Sequence, residues 1–187
     1  MHTIEPFSNW RHLYVSEEDK YSPFFRREYS EFEFCNTVYN YYIHPQWDEF
    51  GSKTLYCKIL YADYALHFTI IELIGEWNDA IENDVMTLKY ELVETLMQQG
   101  IIYFIFIGEN ILNFHYDGKD YYEEWYSEIA DENGWLVMLN LSLPARQEFK
   151  KYKLQYFIEL MEIEDWRVFK PHHLFQKIND IIANRLQ

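Results

Sequence analysis

The chain has 187 residues, 49% of them hydrophobic and 20% aromatic, with only six Gly and five Pro. That composition suits one folded α/β-sized domain and excludes a disordered or low-complexity chain. Sixteen Lys and Arg against 31 Asp and Glu give a formal charge of −15, a field that repels a phosphate backbone and argues against a nucleic-acid partner.

Residues 1–50 are expected to form an N-terminal extension packed on the core. Its first 30 residues mix Trp10, Tyr14, Tyr21, Phe24, Phe25 and Tyr29 with charges and two prolines, and aromatics this dense are seldom left in water. From Glu31 to Ile43 an alternating pattern reads as a strand or hairpin arm. His44–Ser52 breaks the pattern. Leu55, Cys57, Ile59 and Tyr61 then alternate as a strand, and Ala62–Ala65 reads as a turn into the strand at Leu66–Ile74, so this opening pair is expected to be antiparallel.

The centre of the chain is Thr69–Ile107, read as strand, helix, strand. Ile70, Ile71, Leu73 and Ile74, and later Ile101–Ile107, are apolar runs of the kind covered on both faces. Between them Ile81, Val85, Leu88, Leu92 and Leu96 recur at helical spacing, with Glu82, Lys89, Glu91 and Glu94 on the other side. Asp79 and Glu82 resemble a capping box, and Gly100 supplies the left-handed stop.

Gly108–Lys119 is read as a long connection. A helix follows from Asp120, with Tyr122, Trp125, Tyr126 and Ile129 on one face; then a strand at Trp135–Leu141, a short helix opened by Ser142 and Pro144, a strand at Gln155–Met161 and a last helix from Pro171. This alternation implies right-handed crossovers and a mostly parallel sheet opened by an antiparallel hairpin, within a single domain spanning residues 1–187.

Cys35 and Cys57 match no metal spacing and are expected as free core thiols. The N-terminus has no basic start leading into an apolar stretch, and no segment approaches the ~20 apolar residues of a bilayer span, so a cytoplasmic location without a membrane partner is expected.

Ligands of parallel α/β sheets bind outside the carboxyl ends of the strands, where helix N-termini point. That places Glu76, Asn78 and Asp79 after one strand, and Glu109, Asn110, His115 and Asp117 after the next, as candidate ligand- or partner-binding residues. Asn140, Ser142, Glu162, Glu164, Asp165 and Trp166 line the remaining strand ends. Glu109, His115 and Asp117 with a neighbouring carboxylate are the residue types a metal would take. Their spacing matches no motif, and caps explain such acids more economically. No serine elbow, phosphate-cradling Gly-rich loop or activated cysteine is present. No catalytic residue, metal or cofactor is therefore assigned.

The element order over roughly Lys53 to the C-terminus is similar to STAS or SpoIIAA-like folds, with a flavodoxin-like sheet as the alternative. In STAS proteins of the anti-sigma antagonist type, a serine opening the helix after the third strand is the phosphorylated switch. The corresponding stretch, GENILNFHYDGKDYYEEW from Gly108 to Trp125, contains neither serine nor threonine, so the resemblance does not extend to that switch. The runs YNYYIHPQWDEFGSKTLY (Tyr39–Tyr56) and IELIGEWNDAIENDVM (Ile71–Met86) resemble an uncharacterised family of small proteins from Bacteroides-type bacteria, which implies a compact bacterial domain and assigns no activity. The functional expectation is a non-catalytic, STAS-like regulatory domain that binds another protein, with a homodimer left open. The alternatives are a small metal-dependent hydrolase using strand-end carboxylates, and an acidic decoy or immunity protein that binds a basic partner.

Overall fold

The computed structural model describes residues 2–30, 32–34 and 36–185; Glu31 and Cys35, and with Cys35 its expected thiol state, lie outside them. The strands are β1 (His2–Ile4), β2 (Thr37–Val38), β3 (Tyr41–Ile43), β4 (Leu55–Asp63), β5 (Phe68–Asn78), β6 (Tyr103–His115), β7 (Trp135–Leu139) and β8 (Glu159–Met161). The helices are α1 (Asp79–Glu82), α2 (Asp84–Leu88), α3 (Glu94–Met97), α4 (Asp120–Asp131), α5 (Leu143–Lys151) and α6 (Pro171–Arg185).

The main sheet runs β4-β5-β6-β7-β8, with β4 antiparallel to β5 and the other pairs parallel. This is the expected mixed α/β sheet opened by a hairpin. Its strand order never reverses, which removes the flavodoxin-like alternative. Right-handed crossovers that step always in one direction deposit their helices on one face, and Leu73, Phe104, Phe106, Trp125 and Phe149 form the core there. The back face, with Ile70, Ile105, Ile107, Val137 and Leu139, is covered by Leu174 and Ile178 of α6, by Trp166, and by Trp10 from the N-terminal region. A small sheet of order β1-β3-β2 covers Tyr56 and Ile74 with Val38, Ile43 and Trp47. Among the described residues, no helix is long and apolar enough to cross a membrane.

Three local readings are corrected. Gly108–His115 is strand, where a connection was expected. Its polar residues Glu109, Asn110 and Asn113 read as a loop, but β5 runs on to Asn78 and offers a partner edge, and Ile111 and Phe114 fill the helix-side core. Gly75 makes that extension possible: at φ 124°, an added Cβ would lie 2.0 Å from the Thr54 carbonyl oxygen, where this strand passes β4.

The helix after β5 is not one amphipathic rod. Asn83 adopts φ 54° and ends α1 after one turn, and a wide turn of π type at Lys89–Val93 rotates the register again between α2 and α3. Val85, Leu88, Leu92 and Leu96 are buried as the spacing predicts, but Ile81 is 78% exposed and Lys89, assigned to the solvent side, is almost fully buried. The Lys89 ammonium donates to Glu124 (2.7 Å) and Glu128 (2.9 Å) of α4, and these bonds hold its pKa up against the opposing effect of burial. The strand expected at Gln155–Met161 is a single tight turn, Leu154–Tyr156, followed by the three residues of β8.

Candidate functional site

A doubly wound sheet opens its ligand crevice where the strand order reverses. No reversal exists in the main sheet, so the carboxyl ends of β5 and β6 stand side by side and their side chains bond to one another. The expected crevice beside a Gly108–Lys119 loop is replaced by a paired strand. The seven candidate residues separate into three groups.

The first group is buried under the helices. Asp79, expected as a capping residue, accepts from Trp77 Nε1 (2.8 Å), from the Val85 amide (2.9 Å) and from the Tyr122 hydroxyl (2.5 Å). The cap is Asn78, whose side chain accepts from the Ile81 amide at 3.0 Å. The Asn78 amide in turn donates to Asp84 at 2.7 Å. Burial raises the Asp79 pKa to about 6 although its three donors pull it down, and burial raises Asp84 as well.

The second group lies on the back face. Glu109 accepts from Asn140 Nδ2 (2.9 Å) and Trp166 Nε1 (2.7 Å) and pairs with Arg167 at 2.5 Å. Burial opposes ionisation here, but the bonds from Arg167, Asn140 and Trp166 outweigh it and the carboxyl sits below its usual range. Asn110 reaches Glu72 Oε1 at 3.3 Å, while the Phe7 amide donates to Glu72 Oε2 at 2.8 Å. Glu72 is 2% exposed, and burial lifts its pKa to about 7 despite the Phe7 bond and the nearby Arg167 charge.

The third group is at the surface. His115 Nε2 lies 2.7 Å from Glu76 Oε1, Asn78 donates to the same oxygen at 3.3 Å, and Asn113 links His115 to the Tyr39 hydroxyl. Asp117 is exposed beyond the end of β6. The ligand set Glu109, His115 and Asp117 is therefore not assembled, and among the described residues no group of three or more His, Cys, Asp or Glu is placed to hold a metal.

Alanine at these three positions separates a bonded group from exposed ones. Glu109→Ala strands the buried Trp166 indole and removes one of the acceptors of the Asn140 amide, which keeps the Ile163 carbonyl, and a loss of about 1–2 kcal/mol is expected in urea unfolding. His115→Ala and Asp117→Ala should stay within about 0.5 kcal/mol of the parent. A loss at Asp117 as large as at Glu109 would contradict this placement.

Sequence reasoning missed Glu72, Asp84, Tyr122, Arg167 and Tyr39. Glu72 carried a signal, a lone acid inside the apolar run IIELI; Tyr122 and Arg167 carried none, because each reaches its partner across more than 40 residues of chain.

No family model and no curated protein matches the chain. The solved structures that match include two forms of SpoIIAA. The anti-sigma factor antagonist SpoIIAA in its unphosphorylated form matches at 14% identity with a TM-score of 0.50, covering 66% of this chain and 96% of its own. The Bacillus cell fate determinant SpoIIAA in its phosphorylated form matches at 15% identity with a TM-score of 0.45, covering 65% and 98%. The first likeness shows a STAS-like fold.

Proposed function

We propose that the protein is a non-catalytic cytoplasmic domain that binds another protein through a basic surface on that partner. The observation that carries the reading is the state of the carboxylates in and around β5 and β6: Asp79, Asp84, Glu72 and Glu109 are each tied to donors within the chain. Acids held in this way stabilise architecture, and the Tyr122 hydroxyl beside Asp79 is itself fully buried, out of reach of a substrate. Charge is instead left on the outer helix. α4 contains Asp120, Glu123, Glu124, Glu128 and Asp131 and no cation, and among the described residues Lys89 is the one cation paired with it. An anionic helix of this kind steers a basic partner and weakens with salt. The fold neighbour is an anti-sigma factor antagonist, and we extend to this chain a regulatory role by protein binding. No serine or threonine lies between Gly108 and Trp125 to gate it.

The test is affinity capture with the parent and with an Asp120→Lys, Glu123→Lys, Asp131→Lys variant, whose altered residues are exposed. A protein retained by the parent at about 0.1 M salt should be released at about 0.5 M and should not be retained by the variant. Capture indifferent to both salt and charge reversal would overturn the reading. So would thermal stabilisation by Mg²⁺, Mn²⁺ or Zn²⁺, or hydrolase turnover that Glu109→Ala abolishes.

A further inference from the structure

The outer edge of β4 is met by the N-terminal region: the Asp48 and Cys57 backbones exchange two hydrogen bonds there, of 2.7 and 3.0 Å. Beside them, the Nζ of Lys58 lies 3.3 Å from Asp48 Oδ2, 3.5 Å from Glu17 Oε2 and 4.0 Å from the centre of the Tyr29 ring. Asp48 is fully buried and Lys58 nearly so, yet among the described residues neither Nζ nor Oδ2 has a hydrogen-bond partner. A buried ion pair repays its desolvation only when such bonds complete it, so this contact is a costly way to hold a strand edge and calls for another reason. The other carboxyl oxygen is engaged. The Tyr29 hydroxyl donates to Asp48 Oδ1 at 2.5 Å, and Arg27 lies 3.4 Å from the same atom. Burial raises the Asp48 pKa although the Lys58 charge, the Tyr29 bond and the Arg27 charge pull it down, which favours the neutral acid. An amine held at attacking distance from a carboxyl, with donors on one carboxyl oxygen, a second carboxylate at the nitrogen and bulk water shut out, is arranged for condensation.

We propose that Lys58 and Asp48 join spontaneously in the folded chain as an intramolecular isopeptide, Nζ to Cγ, which ties the N-terminal region covalently to β4. Glu17 takes a proton from the Lys58 ammonium and delivers it to Asp48 Oδ2. The freed amine adds to Cγ, while the charge that develops on Oδ1 meets the Tyr29 hydroxyl and the Arg27 guanidinium. The Nζ–Cγ bond forms, the Cγ–Oδ2 bond breaks and Oδ2 departs as water; both hydrogens of that water come from the ammonium, and the third stays on the amide nitrogen. No oxidant, metal or cofactor enters the balance. Burial favours the product, because the amide is neutral where the pair was charged and hydrolysis needs water that the site shuts out. The event happens once per chain and consumes no outside substrate, so it is independent of the protein-binding reading.

The test is the intact mass of the full purified chain. The parent should weigh about 18 Da less than its sequence, the mass of one water. Trypsin should release from it a branched peptide that joins residues 28–53 to residues 54–89 and is uncut at Lys58. Lys58→Arg keeps the cation without an amine nucleophile and should show the full mass. Asp48→Asn keeps the shape and changes the leaving group, so its deficit should become about 17 Da, that of ammonia. Glu17→Gln leaves both reactants in place and should slow the reaction by at least about tenfold, read at matched times after induction as the fraction still at full mass. A parent that is folded and at full mass would overturn the proposal. So would a deficit that persists in Lys58→Arg, a loss still equal to water in Asp48→Asn, or a Glu17→Gln chain that condenses as fast as the parent.

Discussion

Asp79→Ala is expected to cost at least about 3 kcal/mol of folding stability at neutral pH, measured by urea unfolding. The substitution leaves the Trp77 indole, the Val85 amide and the Tyr122 hydroxyl without an acceptor in a buried region, and each stranded donor costs about 1–3 kcal/mol. Removing a carboxylate that burial already penalises offsets part of this. Asp79→Asn is the informative partner. Its amide oxygen can serve Trp77 and Val85 while its NH₂ donates to the Tyr122 oxygen, so a loss of only about 1 kcal/mol is expected. If alanine proves as benign as asparagine, Asp79 does not fasten β5, α2 and α4 together.

Glu72→Gln should abolish a pH dependence that the parent shows. Burial raises the Glu72 pKa to about 7, well above the usual 4.5 of a glutamate side chain. The folded chain therefore holds this proton more tightly than the unfolded chain. The resulting stabilisation is complete below the unfolded pKa and is lost as pH rises through 7, an effect of about 3 kcal/mol across that window. Asp79, raised to about 6 from 3.8, acts with the same sign over a more acidic window. Glutamine stays neutral and can still meet Phe7 and Asn110, so the variant should match the parent near pH 4.5 and exceed it by about 3 kcal/mol at pH 8. Parallel stability curves for the two proteins across this range would refute a buried, proton-holding Glu72.

The expected architecture came from apolar runs such as IIYFIFI and from turn residues such as Gly100 (φ 90°), and both carry local physical information. The errors arose where tertiary structure overrides local pattern. Residues 108–115 look polar because half their side chains bond to neighbouring strand ends, and pattern alone cannot see the partner edge that β5 supplies. Lys89 lies at a solvent-side position of an ideal helix; two departures from that helix turn it inward, towards acids 35 and 39 residues away in sequence. The candidate site was legible as a set of positions at the strand ends and illegible as chemistry, because the bonds that occupy those residues join segments remote in sequence. Glu72 is an exception of a kind: a charge inside an apolar strand is costly, so its place in the run IIELI is a local signal of a buried partner, although it was not read as one.

The one-sided placement of the crossovers also constrains how the chain is made. With α1–α5 on the front, the back of the sheet is closed by material from both extremities: Trp10 packs on Trp166 with ring centroids 5.7 Å apart and donates its indole N–H to the Phe169 carbonyl, 159 residues further on. During synthesis Trp10 emerges long before Trp166 and α6, so Ile70, Ile105, Ile107, Val137 and Leu139 remain partly uncovered on the growing chain until those later segments are released. Closure between segments 159 residues apart carries a large loop-closure cost, so this face is expected to close late in folding. Loss of either segment bares the same apolar surface, which ties the fate of Trp10 to that of Trp166 and α6.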